Sequence, residues 1–151
     1  MPTAKLVVGA KSALTFTPLA TLASATYGVS DSYNAATNSP VDAIVELSAA
    51  TTNTPAGNKQ LLVFAQASFD AGSTWQSGPT SGTTTTDENL LTFLGALPVN
   101  LTATTYVKAF EIASAYGGVL PPMFRIVIRN DLGVALTSGT AAVAEQTATL
   151  T

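Results

Sequence analysis

The chain has 151 residues, of which 46% are hydrophobic and only 10% charged, with six basic and nine acidic side chains giving a net charge of −3. It contains no cysteine and no histidine, which excludes disulfides, thiolate and imidazole metal sites, and the commonest general base. No window gathers enough Lys or Arg to neutralise a row of phosphates, so nucleic-acid binding is excluded as the main role.

So little charge leaves a surface of Thr, Ser, Asn, Gly and Ala, whereas about a quarter of the residues of an ordinary soluble domain are charged. Such a coat suits an assembly component that works packed against neighbours. The length suits one domain, 1–151, able to bury a core without staples. Met1 to Ala10 has one lysine and an apolar run of only Leu6, Val7 and Val8, which is no signal peptide. No run approaches the ~20 apolar residues of a membrane span. The expectation is a protein made in a cytoplasm, with no membrane partner.

In chain order, Leu6 to Val8 and Leu14 to Thr17 read as short strands. Ser24 to Ser39 carries Tyr27 and Tyr33 among small residues; it reads either as a loop displaying two tyrosines to a partner or as a cap on a core edge. Val41 to Leu47 alternates, with Val41, Ala43, Val45 and Leu47 on one face and Asp42 and Glu46 on the other, the pattern of a half-buried strand. Gln60 to Asp70 is apolar on both faces and predicts a central strand. Gly78 to Asp87, with four threonines at Thr83, Thr84, Thr85 and Thr86, predicts a polar loop with no apolar anchor, ordered by a partner.

Leu90 to Leu94 and Thr105 to Ser114 read as further strands. Phe124 to Asn130 places Phe124, Ile126 and Ile128 inward and leaves Arg125 and Arg129 on a solvent or interface face. A last strand runs from Val134 to Leu136 and on through Ala142 to Leu150. Pro, Gly, Asn and Ser clusters separate these segments. The prediction is an all-β fold, a single β-sandwich of jelly-roll type with about eight short antiparallel strands. Residues 1–12 and 139–151 are weakly patterned and are expected as extended arms.

The sharpest local motif is Ser68-Phe69-Asp70-Ala71-Gly72-Ser73-Thr74-Trp75, which matches the Asp-box pattern S-x-D-x-G-x-T-W. Its work is structural: the Asp70 carboxylate accepts backbone hydrogen bonds across a turn, Gly72 supplies a positive φ, and Trp75 folds back as an apolar plug. Sialidases carry such boxes, and Phe124-Arg125-Ile126-Val127 approaches their F-R-I-P signature. They repeat the box and clamp a carboxylate with three arginines, whereas this chain has one box and two arginines.

Asp42 and Glu46, four residues apart on one strand, stand about 13 Å apart, too wide for a retaining carboxylate pair. Asp87-Glu88-Asn89 reads as a solvated loop end and not as a cation loop. No G-x-S-x-G or S-x-x-K context activates a nucleophile. The expectation is no enzyme, no cofactor and no metal. Most aromatic residues are expected to fill the core. Trp75 is the best candidate for a sugar-stacking platform, the mark of a carbohydrate-binding module.

Three segments together resemble a group of small structural proteins of tailed bacteriophages. They are Pro40 to Leu47, Leu61 to Pro79 with the Asp box, and Asn89 to Leu136, which contains N-L-L-T-F-L-G-A-L-P-V and A-Y-G-G-V-L-P-P-M-F-R-I-V-I-R-N-D-L-G-V-A-L. The resemblance implies a β-sandwich virion protein similar to capsid decoration or cement proteins, which sit on the head surface, often as homotrimers. It implies the major capsid protein and further copies of the chain as partners. The residue patterns above make Tyr27, Tyr33, Arg125, Arg129 and Thr83 to Thr86 the candidate interface residues. A tail, baseplate or fibre component, or a carbohydrate-binding module used in adhesion, are the alternatives.

Overall fold

Alternation of apolar and polar residues is what makes the strands and what joins them into two layers. In β5 (Asp42–Ala50), Ala43, Val45, Leu47 and Ala49 are at most 1% exposed and every intervening residue is half-buried, the period-two signature of a strand with one face in a core. β6 (Gln60–Ser68) is buried on both faces over most of its length, and β9 (Met123–Asp131) is buried on its inner face and half-buried on its outer face except at Val127, which is fully buried, as central strands covered on each side are. The structure is a computed structural model and describes residues 4–150.

The remaining strands are β1 (Ala4–Val8), β2 (Ser12–Leu14), β3 (Tyr27–Val29), β4 (Tyr33–Asn34), β7 (Thr92–Pro98), β8 (Tyr106–Glu111) and β10 (Ser138–Leu150). All pairings are antiparallel. One sheet has the order β1-β10-β5-β8, with β2 also on β10; the other has β3-β9-β6-β7, with β4 also on β9. β1 and β2 lie in line along β10, and β3 and β4 along β9. Each sheet is thus four strands wide with an interrupted edge strand.

Counting each interrupted edge once leaves eight strands, with the first paired to the eighth, the second to the seventh, the third to the sixth and the fourth to the fifth. That is a jelly roll, a long double-stranded ribbon rolled into a sandwich of two sheets. The core between the sheets is built from Leu47, Leu61, Ile112, Phe124, Ile126 and Leu136 among others, all at most 2% exposed.

Several boundaries differ from the sequence reading. Val41 precedes β5 and is exposed. Phe69 lies beyond the end of β6 and is 64% exposed, because the chain turns at the Asp box. Residues Val134 to Leu136 belong to the connection that precedes β10, where the backbone N–H of Leu136 is bonded to the carbonyl of Leu22. β3 and β4 lie inside the segment read as a loop; they are three and two residues long and carry too few alternations to be seen.

The segment 139–151 is largely not an arm. From Ser138 to Gln146, β10 is an interior strand hydrogen-bonded to β5, because Ala141 and Val143 supply core contacts that a free tail would waste. Only Thr147 to Leu150 run past β5, and they pair with β1 alone, Ala4 opposite Leu150 and Val7 opposite Thr147. Within 1–12, β1 and the start of β2 are likewise paired. Residues 1–3 and 151, also part of the expected arms, lie outside the described residues.

Candidate functional site

The outer face of the β3-β9-β6-β7 sheet is covered by the connection from residue 69 to residue 91. This long excursion is held at three places, and nearly all the residues singled out from the sequence serve it. The first is the Asp box. Ser68 Oγ donates to Asp70 Oδ1 at 2.8 Å, and the same carboxylate oxygen accepts the Thr74 N–H at 2.7 Å. The Gly72 N–H donates to Ser68 Oγ at 2.9 Å, and the Ser73 N–H to the Asp70 carbonyl at 3.3 Å.

Ala71 and Gly72 have φ of 58° and 88°, so both central residues of this turn are left-handed and glycine is the residue that takes that conformation freely. The hydrogen bonds from Thr74 and Ser68 hold the Asp70 carboxyl at about 2, below the usual carboxylate range. A depressed pKa contributes stability that is whole above the ordinary value near 3.8 and is lost as pH falls towards 2. Melting curves of the protein and of Asp70→Asn are therefore expected to differ by a constant amount at neutral pH and to converge on acidification between those values; parallel curves down to the lower one would refute this.

The second anchor is a polar chain beneath Trp75. Arg125 Nε donates to Gln66 Oε1 at 2.6 Å, Gln66 Nε2 donates to the Gln76 carbonyl, and Gln76 Oε1 accepts both the Ala67 N–H at 2.9 Å and the Tyr116 hydroxyl at 2.8 Å. The Arg125 guanidinium lies 4.5 Å from the centre of the Trp75 ring, a cation–π stack. Trp75 folds back beside its own turn, its ring 3.9 Å from where a Cβ on Gly72 would stand, and it also roofs Arg125 while staying partly exposed. Burial lowers the Arg125 pKa and raises that of Tyr116.

The third anchor is a small second core. Phe64, Val127 and Tyr27 on the outer sheet face pack with Leu91, each at most 5% exposed. Above them Glu88 Oε2 accepts from the Tyr27 hydroxyl and from Arg129 Nη1, the latter at 3.3 Å with both charged side chains about three-quarters buried. Arg129 Nε is buried with no partner among the described residues. Burial, then the Glu88 carboxylate, raises the Tyr27 pKa. Arg129 is thus not on an open interface face, and Arg125 and Arg129 both lie under residues 69–91.

The loop from Gly78 to Asp87, expected to wait for a partner, is tied to the sheet within the chain. The Tyr27 N–H donates to the Gly82 carbonyl at 2.9 Å, and Leu91 and Glu88 anchor its far end. Its crest, Thr83 to Thr86, is exposed. Glu88→Ala removes the carboxylate that holds Tyr27 and Arg129, and the Tyr27 amide is expected to exchange about tenfold faster with solvent, equivalent to ~1.4 kcal/mol of local opening. Unchanged exchange at Tyr27 would show that Leu91 alone holds the loop.

Tyr33 caps the other end of the core. Its ring packs on Phe124 with centroids 5.3 Å apart, and its hydroxyl donates to Glu145 Oε1 at 2.7 Å, while Asn38 Nδ2 donates to the other oxygen at 2.8 Å. Since β4 and β10 are in different sheets, this bond joins the two layers. Burial, then the Glu145 carboxylate, pushes the Tyr33 pKa up to about 12. Both tyrosines are in the capping arrangement, and Tyr27 is only 3% exposed.

Three further carboxylates are engaged in structural contacts. Asp42 Oδ1 accepts from the N–H groups of Ala43 and Ala113, Glu46 pairs with Lys11 at 2.7 Å, and Asp131 accepts from Asn58. Among the described residues no group of three Asp or Glu side chains is placed to hold a metal.

An open cleft of about 360 Å³ lies at the Asp box, lined by Ala67, Phe69, Asp70, Thr74, Trp75 and Gln76. Sequence reasoning singled out Trp75 but missed Gln66, Gln76, Glu88 and Tyr116. Gln66 had a signal, a lone amide in an otherwise apolar central strand; Gln76 and Glu88 had none, since only the folding back of the loop brings them to the sheet. No protein-family model matches the chain, and no curated protein is significantly similar to it.

Proposed function

We propose that the protein is a structural component of a tailed-phage particle, a decoration or cement protein that sits on the head surface, binds the major capsid protein and its own copies as a homotrimer, and catalyses no reaction. The observation that carries this reading is the ribbon formed where β1 and the end of β10 leave the sheet. Ala4, Leu6 and Val8 share one face with Ala148 and Leu150, and Leu6, Val8 and Leu150 are 60%, 53% and 74% exposed. A projecting two-stranded ribbon with an apolar face is marginal by itself in water, and apolar surface left in one stripe marks a contact.

On the outer face of the same sheet Ile44, Ser48, Val107, Ala109, Thr140 and Ala142 lie in register around the Lys11–Glu46 ion pair, with Glu111 at the edge opposite Ile44. Small uncharged side chains permit close approach and lose little entropy when covered. Repeated sites on one particle would multiply a weak single contact.

The test is sedimentation with genome-free heads of the parent phage, together with light scattering of the free protein. Saturable, stoichiometric co-sedimentation and a trimer mass are expected. Leu6→Asp with Leu150→Asp, both at exposed positions, should weaken head binding at least tenfold with the melting temperature nearly unchanged. A clean monomer that ignores heads overturns the reading, and binding to tails alone moves it to a tail or baseplate component.

A further inference from the structure

We infer that the cleft at the Asp box is a binding site for a neutral saccharide. Three independent features meet there. Phe69 is 64% exposed although it follows directly on a buried strand, and it is held edge-on against Tyr116 with centroids 6.4 Å apart and planes at 76°. Trp75 is partly exposed, with the Arg125 guanidinium against its ring. Two aromatic rings so braced line one open cleft, and pyranose rings present flat C–H faces that pack on aromatic surfaces.

Polar groups stand beside the rings with capacity to spare. Asp70 spends Oδ1 on its own turn, and Oδ2, on an exposed residue, is left to accept sugar hydroxyls. Gln76 spends Oε1 on the Ala67 N–H and the Tyr116 hydroxyl, which turns its amide Nε2 into a fixed donor. A carboxylate acceptor and an amide donor at the edge of an aromatic floor are complementary to vicinal hydroxyls, and the Asp70 charge disfavours anionic sugars. The volume falls within the range of small-molecule sites. A flat protein surface, whether a partner's or a second copy's, would leave these fixed polar groups beside the rings unmatched.

The chain contains a single tryptophan, Trp75, so its emission reports on this cleft alone. The full-length protein is titrated with maltohexaose, cellohexaose and chitohexaose up to millimolar concentration. At least one is expected to shift the emission saturably, and Phe69→Ala, a change at an exposed position, should weaken that binding about tenfold with the melting temperature retained. Because Trp75→Ala would disturb the stack on Arg125, Asp70→Asn serves as the second variant and should also weaken binding.

No emission change with any of the three overturns the inference. So does a shift that survives Phe69→Ala, and so does an emission change that follows protein concentration but not sugar, which would make the cleft a contact between copies. None of these outcomes bears on head binding through the terminal ribbon.

Discussion

Asn130→Ala is expected to lower the unfolding free energy by about 2–4 kcal/mol, because it strands the Leu132 N–H and the part-buried Val134 carbonyl at about 1–3 kcal/mol each before they relax, and leaves the Leu22 carbonyl with only the Leu136 N–H. Asn130 is wholly buried at the end of β9. Its Nδ2 donates to the carbonyls of Leu22 and Val134 at 2.8 and 2.9 Å, and its Oδ1 accepts the Leu132 N–H at 2.9 Å. One amide thus holds the segment before β3, the turn after β9 and the entry to β10. Asn130→Asp should be at least as damaging at neutral pH, since a carboxylate offers those two carbonyls no donor. Urea unfolding measures both, and a loss below about 1 kcal/mol for the alanine variant would mean that water reaches the freed carbonyls.

Phe124→Ala is the second large effect. The ring is fully buried in the main core and packs on Tyr33, so its removal should cost about 3–5 kcal/mol through lost burial and the cavity left behind. In a chain of this size that is a fall in melting temperature of roughly 10–15 °C. Phe124→Leu should recover most of it, because it restores much of the volume. Calorimetry checks both. An alanine variant within a few degrees of the parent would show that the sheets close over the gap.

The main framework was legible in the sequence wherever strands were long and one face was buried. β5, β6 and β9 announce themselves by alternation or by apolar runs, and the sandwich follows from them. The short edge pieces β3 and β4 were not legible, because two or three residues carry no period. β10 was underestimated because its core residues are alanines and valines among threonines, a weak apolar contrast for a strand that is interior over most of its length.

At the site, the Asp box was readable as a motif since all its bonds are local. The roles of Arg125 and Arg129 were not, because their partners, Trp75 with Gln66 and Glu88, are joined to them only when residues 69–91 fold over the sheet. Alternation correctly put both arginines on the outer face; it could not say that this face is roofed.

The ribbon of β1 with the end of β10 also bears on how the protein reaches its native state. Ala4 finds its partner at Leu150, and β5 waits for β10 to complete its hydrogen bonds, so one sheet closes only by joining opposite ends of the chain. Pairings so distant in sequence make folding slow, in the range of milliseconds to seconds for β-sandwiches. The edge of β5 stays open meanwhile and is exposed to association with other unfolded chains. The apolar face of the ribbon, in contrast, is assembled only when that closure has occurred, so a partner that recognises it engages folded molecules and passes over incomplete ones.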